Sequence, residues 1–116
     1  MKGKRKILKL TLKKEWFDMI LSGEKKEEYR EVKEYWMHRL EDSSTAMFVI
    51  NYKKFDLVEF KNGYGENVPT MLVECLEINH GYSNPKWCGG IEDFFYVIKL
   101  GKIVETKNLK QDEKPS

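Results

Sequence analysis

A glycine set just behind a short amphipathic segment constrains this chain more than any other feature. Residues 15–21 place Phe17, Ile20 and Leu21 on one helical face. Gly23 follows where helices commonly end in a left-handed residue, a conformation that costs glycine nothing. Directly behind the stop come Lys25, Glu28 and Arg30, in the pattern G-x-K-x-x-E-x-R. Two readings of this segment are open. Residues 24–40 can form one longer helix with Tyr29, Val32, Trp36 and Leu40 as its apolar stripe and the charges solvated. Alternatively, residues 25–32 are a strand, which puts Glu28 and Arg30 on one side of the pleat. A second short helix then covers residues 35–40.

The rest of the chain reads mostly as strands. Residues 7–12 alternate Leu8, Leu10 and Leu12 against Lys9 and Thr11, the period of a half-buried strand. Residues 41–45 form a polar loop, and residues 47–50 are either a strand or a buried connector. Residues 55–60 predict a strand closing on the turn Lys61-Asn62-Gly63-Tyr64-Gly65. Residues 70–78 predict a long strand with both faces buried and Glu74 pointing inward. Residues 80–90 hold Asn84-Pro85, Trp87 and Gly89-Gly90, which predicts a loop. Residues 94–100 are the last strong strand, extending through Gly101 to Val104. Trp36, Phe60 and Phe94 read as core. The domain is expected to span residues 1–104, with a frayed polar tail over 105–116.

At 116 residues the chain is long enough for one real core and too short for two ordinary ones. No apolar run reaches the roughly 18 residues of a membrane helix. The basic start runs into a segment interrupted by Lys9 and Lys13, which cannot serve as a signal peptide's apolar region. A cytoplasmic location with no membrane contact is expected. Cys75 and Cys88 lack metal-ligand spacing, and His38 and His80 lie far apart, so neither a metal nor another cofactor is expected. Net charge is only +2, but Lys2, Lys4, Arg5, Lys6, Lys9, Lys13 and Lys14 precede the first acidic residue. A basic arm of this kind suits phosphate contacts or simply a soluble terminus.

Gly23, Lys25, Glu28 and Arg30 together with Trp16-Phe17, Ile20-Leu21, Tyr35-Trp36 and Arg39-Leu40 resemble an ASCH domain, a branch of the PUA-like β-barrels. The resemblance extends through residues 60–64, Asn84-Pro85-Lys86-Trp87 and residues 97–101, and is to the small stand-alone bacterial and phage type. It implies an α+β fold: a small barrel of five or six strands with two short helices flanking its mouth. It also implies a cleft at the helix-to-strand turn that binds RNA or a modified nucleoside.

The candidate binding residues are Lys25, Glu28, Arg30, Asn62, Tyr64 and Trp87. Arg30 offers a planar donor fork to a phosphate or base edge, or else acts as a strut for the turn. Lys25 offers a mobile charge, and Glu28 accepts from an amine or holds Arg30. Tyr64 and Trp87, on glycine-flanked loops, either stack on bases or anchor their loops. One ASCH branch hydrolyses acetylated cytidine with a lysine, a threonine and a glutamate, and another is similar but cuts RNA. By that resemblance Lys25 and Glu74 would be catalytic. Glu28 stands at the threonine position, where a carboxylate would have to act as base on water. Binding without turnover is the expected activity. The alternatives are such a hydrolase and a protein-interaction barrel.

Overall fold

The computed structural model describes residues 4–46 and 48–110. Its elements are β1 (Ile7–Leu12), α1 (Lys14–Leu21), β2 (Glu27–Arg30), α2 (Glu34–Leu40), β3 (Leu57–Asn62), β4 (Thr70–Tyr82), a 3-10 turn (Pro85–Trp87) and β5 (Phe94–Lys107). Five strands and two short helices make the expected α+β composition. The chain divides into two compact units, and β4 and β5 each contribute to both. No described helix is long and apolar enough to cross a membrane.

The first unit is Met1–Lys26, Phe55–Leu76 and Leu100–Ser116. Here β1 runs parallel to β3, from Ile7 opposite Leu57 to Leu12 opposite Asn62. β3 is antiparallel to β4, from Leu57 opposite Glu74 to Lys61 opposite Thr70. The strand order is β1-β3-β4-β5. The alternation expected for β1 is present, with Leu8, Leu10 and Leu12 buried. β3 lies between two strands and buries consecutive residues, Leu57 and Val58, as well as Phe60. Phe17, Ile20 and Leu21 of α1 complete this core with Met71, Val73 and Leu100. Each full burial of such a side chain is worth about 1.5–3 kcal/mol.

The end of α1 is fixed by backbone bonds. Gly23 N–H donates to the Ile20 carbonyl (3.0 Å) and Lys25 N–H to the Met19 carbonyl (3.0 Å), with Gly23 at φ 88°. These bonds use the helix's last carbonyls and need a residue tolerant of positive φ. Behind the stop come β2 over Glu27–Arg30 and α2 only from Glu34, so the longer helix over residues 24–40 is ruled out and the extended reading holds for Glu27–Arg30.

The second unit is Glu27–Lys54 and Glu77–Lys99. β2 pairs antiparallel with β5, from Glu27 opposite Lys99 to Arg30 opposite Tyr96, in the order β4-β5-β2. Its buried apolar residues are Tyr29, Leu40, Ile78, Tyr96, Val97 and Ile98. α2 buries only Leu40. Its C-terminus is satisfied by Lys53, whose N–H donates to the Leu40 carbonyl and whose Nζ donates to the His38 carbonyl.

Several expectations need correction. Phe48, Val49 and Ile50 are exposed and form neither strand nor buried connector; an isolated bridge joins Ala46 to Val49. Met47 lies outside the described residues. β4 continues four residues past Ile78, so His80–Tyr82 is strand and the loop starts later. Its two faces are not both buried, since Leu76 is 65% exposed. Phe94 is not core: it is 46% exposed. β5 runs three residues beyond Val104, so the proposed tail begins within a strand, and residues 111–116 lie outside the description.

Candidate functional site

In the first unit the turn behind α1 opens onto a pocket of about 360 Å³, lined by Ile20, Gly23, Lys25, Lys26, Val73 and residues 100–103. That volume suits a single nucleotide-sized ligand, at the small end of ligand sites. Three of the lining residues are lysines, Lys25, Lys26 and Lys102, and none is acidic. Lys26 and Lys102 are exposed and Lys25 is buried. The Lys25 ammonium lies 5.7 Å from the centroid of the Trp16 ring, within cation–π range. Its main chain is held by the bond to Met19, so helix, turn and pocket wall form one continuous piece of backbone. Lys26 continues that wall, its carbonyl accepting from Leu100 N–H (3.0 Å).

Glu74 is half-buried in β4. Its Oε1 accepts from Lys102 N–H (2.8 Å) and lies over Gly101. The carboxylate therefore helps to hold two residues of the pocket wall. Asn62 and Tyr64 belong to the same unit but do not line this pocket. Asn62 ends β3 with its N–H on the Pro69 carbonyl, and Tyr64 stands 89% exposed between two positive-φ glycines, Gly63 and Gly65.

The second unit holds the other half of the motif. Glu28 is buried, and Arg30 Nη1 donates both to Glu28 Oε2 and to the Tyr29 carbonyl (2.8 Å). The Arg30 guanidinium lies 5.1 Å from the Trp36 ring centroid and that of Arg39 lies 5.3 Å from it. Arg39 Nη1 also donates to the Tyr35 hydroxyl. Arg30 is thus enclosed by a carboxylate, a carbonyl and an aromatic face, the arrangement of a strut. Trp87 is half-buried in the 3-10 turn, capped by Asn84 Oδ1 accepting from Lys86 N–H. Asn84 N–H in turn donates to the Tyr29 hydroxyl.

The six sequence-derived binding residues thus divide between the units: Lys25, Asn62 and Tyr64 in the first, Glu28, Arg30 and Trp87 in the second. Sequence reasoning missed Lys26 and Lys102. Their signal was present, since each directly follows a residue already singled out. Cys75 and Cys88 form no disulfide, and no cluster of His, Cys, Asp or Glu among the described residues has a metal-holding arrangement.

Burial pushes the phenols of Tyr29, Tyr52 and Tyr96 up, with the carboxylates of Glu27 and Glu41 adding to the effect at Tyr29 and Tyr96. In the unfolded chain these groups ionise near pH 10. Stability is then fully present below about pH 10 and is lost as the pH rises past it, because the unfolded state releases protons first. Denaturant midpoints should stay level from neutral to mildly alkaline pH and fall above about pH 10. Tyr96→Phe should flatten that fall, and an unchanged slope would refute the assignment.

Comparison of the chain with protein-family models, with curated proteins and with solved structures finds no match.

Proposed function

We propose that this chain binds RNA or a nucleotide derived from it, with the turn pocket of the first unit receiving the ligand's phosphate. One observation carries this reading: the pocket behind Gly23 is lined by three lysines and no carboxylate. An anion with a compact organic body fits such a lining, the exposed Lys26 and Lys102 facing the phosphate and Ile20, Val73, Leu100 and Ile103 facing the apolar part. The net charge of the first unit is positive, which adds a longer-range attraction. The fold proposed with this function is the PUA-like barrel of an ASCH domain. It is supported by the Gly23 stop, the strand behind it and the short second helix in the expected order. Hydrolysis is less well supported, because the Glu74 carboxylate is already engaged by the Lys102 amide.

The test compares cytidine with cytidine 5′-monophosphate in equilibrium titrations. The monophosphate should bind more tightly. Lys26→Ala combined with Lys102→Ala should weaken it about tenfold, since each exposed charge contact contributes up to about 1 kcal/mol. For single-stranded RNA the same pair should lower the slope of log affinity against log salt by about 0.7 per lost phosphate contact. Equal affinity for nucleoside and monophosphate, or wild-type affinity in the double variant, would remove the pocket from the function.

A further inference from the structure

The second unit carries an aromatic surface that the pocket does not use. His80 and Tyr82 are two residues apart on β4 and share a face, as do Phe94 and Tyr96 on β5. The four rings meet. His80 lies 4.4 Å from Tyr96 and 5.6 Å from Phe94, nearly parallel to the latter at 12°. Tyr82 stands edge-on to Phe94 at 5.2 Å. Along this face burial falls from Tyr96, which is 1% exposed, to Phe94 and Tyr82, which are 46% and 68% exposed. A sheet that brings large rings to the surface beside one another, at a fixed spacing, is a poor arrangement for a solvated strand end and a good one for flat ligands.

The polar groups around the rings also fit. The Tyr52 hydroxyl accepts from His80 N–H (3.1 Å) and lies 2.5 Å from His80 Nδ1, which holds the imidazole in place within the cluster. Two carboxylates touch the cluster and both are engaged: Glu41 accepts from the Tyr96 hydroxyl and Asp93 from Phe94 N–H. Lys53 and Lys54, both exposed, follow Tyr52 directly in sequence; Lys53 Nζ donates to the His38 carbonyl, which leaves the Lys54 charge for a phosphate chain.

We propose that the Tyr82–Phe94–His80 face is a stacking platform for the unpaired bases of a single-stranded RNA. Every base has a π-face, so recognition by stacking selects single strands over duplexes without requiring a sequence. The second unit carries a small acidic excess, so the contact rests on the rings, with Lys54 in support. The proposal shares its ligand class with the turn pocket but uses a different surface.

The experiment titrates the full chain with a short labelled oligoadenylate, with the matching RNA duplex and inorganic polyphosphate as competitors. The wild-type chain should bind the single strand, and neither competitor should displace it at equal phosphate concentration. Phe94→Ala and Tyr82→Ala should each weaken binding about 5- to 150-fold, the range for loss of one stacked base. They should leave the salt slope unchanged, since no phosphate contact is lost, and Phe94→Trp should restore affinity. Both residues are exposed, so their alanine variants should lose only the ring contacts and stay folded, which their unfolding curves check. Cytidine 5′-monophosphate binding, measured on the same variants, separates the two surfaces. If it persists while Phe94→Ala leaves the single strand bound, the platform fails and the pocket stands. If it proves independent of Lys26 and Lys102 while the single strand still needs Phe94, the pocket fails and the platform stands. Absence of wild-type binding, displacement by polyphosphate, or a dimer that Phe94→Ala turns into a monomer would overturn the proposal, the last by making the face an interface between copies.

Discussion

Arg30→Ala should cost about 3–5 kcal/mol of stability, which for a chain of this size lowers the melting temperature by well over 10 °C. The cause is the carboxylate left behind. Glu28's side chain is only 6% exposed and Arg30's only 15%, so the pair lies where water cannot substitute for the lost guanidinium. Arg30 also donates to the Tyr29 carbonyl and covers the Trp36 ring, contacts that a methyl group does not replace. Arg30→Lys keeps the charge but loses the planar fork, and should recover less than half of the loss. Glu28→Met combined with Arg30→Met should be milder than Arg30→Ala, because it removes both charges together. Chemical denaturation of the four proteins measures this directly. A loss below about 1 kcal/mol for Arg30→Ala would mean the pair is solvated and free to serve a ligand. RNA binding by Arg30→Lys, measured where it is still folded, then decides the residue's role. Unchanged affinity assigns it to scaffolding.

The sequence made the helix stop legible because a single backbone fact controls it. Only glycine takes φ 88° cheaply at the point where α1 must release its carbonyls, so position 23 announced the turn, while a helix and a strand behind it both remained open. Alternation announced β1 equally well, since one face is buried and the other wet. Period-based reading failed where context decides. His80-Gly81-Tyr82 looked like the start of a loop because it precedes Asn84-Pro85, yet β4 runs through Gly81 to Tyr82 in its pairing with β5. Phe48, Val49 and Ile50 looked buried because apolar residues usually are, and no local pattern says otherwise.

Among the site residues, Lys25 was legible through its place in the motif, but its near-complete burial was not. A lysine after a glycine turn reads as a mobile surface charge. Here the backbone bond to Met19 places its side chain within the unit, beside Trp16. The aromatic face was hidden for a related reason. Phe94 and Tyr82 are far apart in sequence, and only the pairing of β4 with β5 brings their rings together. Tyr64 and Trp87 were easier to notice because glycines flank their loops, yet Trp87 is half-buried and Tyr64 stands away from the pocket lining.

Gly101→Val should destabilise the first unit by about 2–3 kcal/mol, and Gly101→Ala by less. A glycine inside a strand marks a close approach of neighbouring atoms, and here the neighbours are identified. A Cβ at position 101 would sit 2.6 Å from Glu74 Oε1 and 3.0 Å from both Glu74 Cβ and Leu76 Cδ2. The first conflict can be relieved by swinging the carboxylate, but that breaks its bond to Lys102 N–H, worth about 1 kcal/mol at an exposed site. The Leu76 conflict can be relieved by turning that side chain, which is 65% exposed, but the Glu74 Cβ is fixed to the adjacent strand, so the strands themselves must shift there. Glu74→Ala removes the carboxylate and leaves the Cβ conflict in place. In the double variant Gly101→Ala should therefore cost about 1 kcal/mol less than it does alone, a coupling that a double-mutant cycle resolves. Strictly additive losses would show that the carboxylate does not restrict position 101. Because Gly101 and Lys102 also line the pocket, Gly101→Ala should weaken cytidine 5′-monophosphate binding at temperatures where the variant is fully folded. Glu74→Ala should weaken it less, since that change frees the Lys102 amide without filling the wall. Binding that is indifferent to Gly101→Ala in the folded protein would separate the strand's packing from the ligand site.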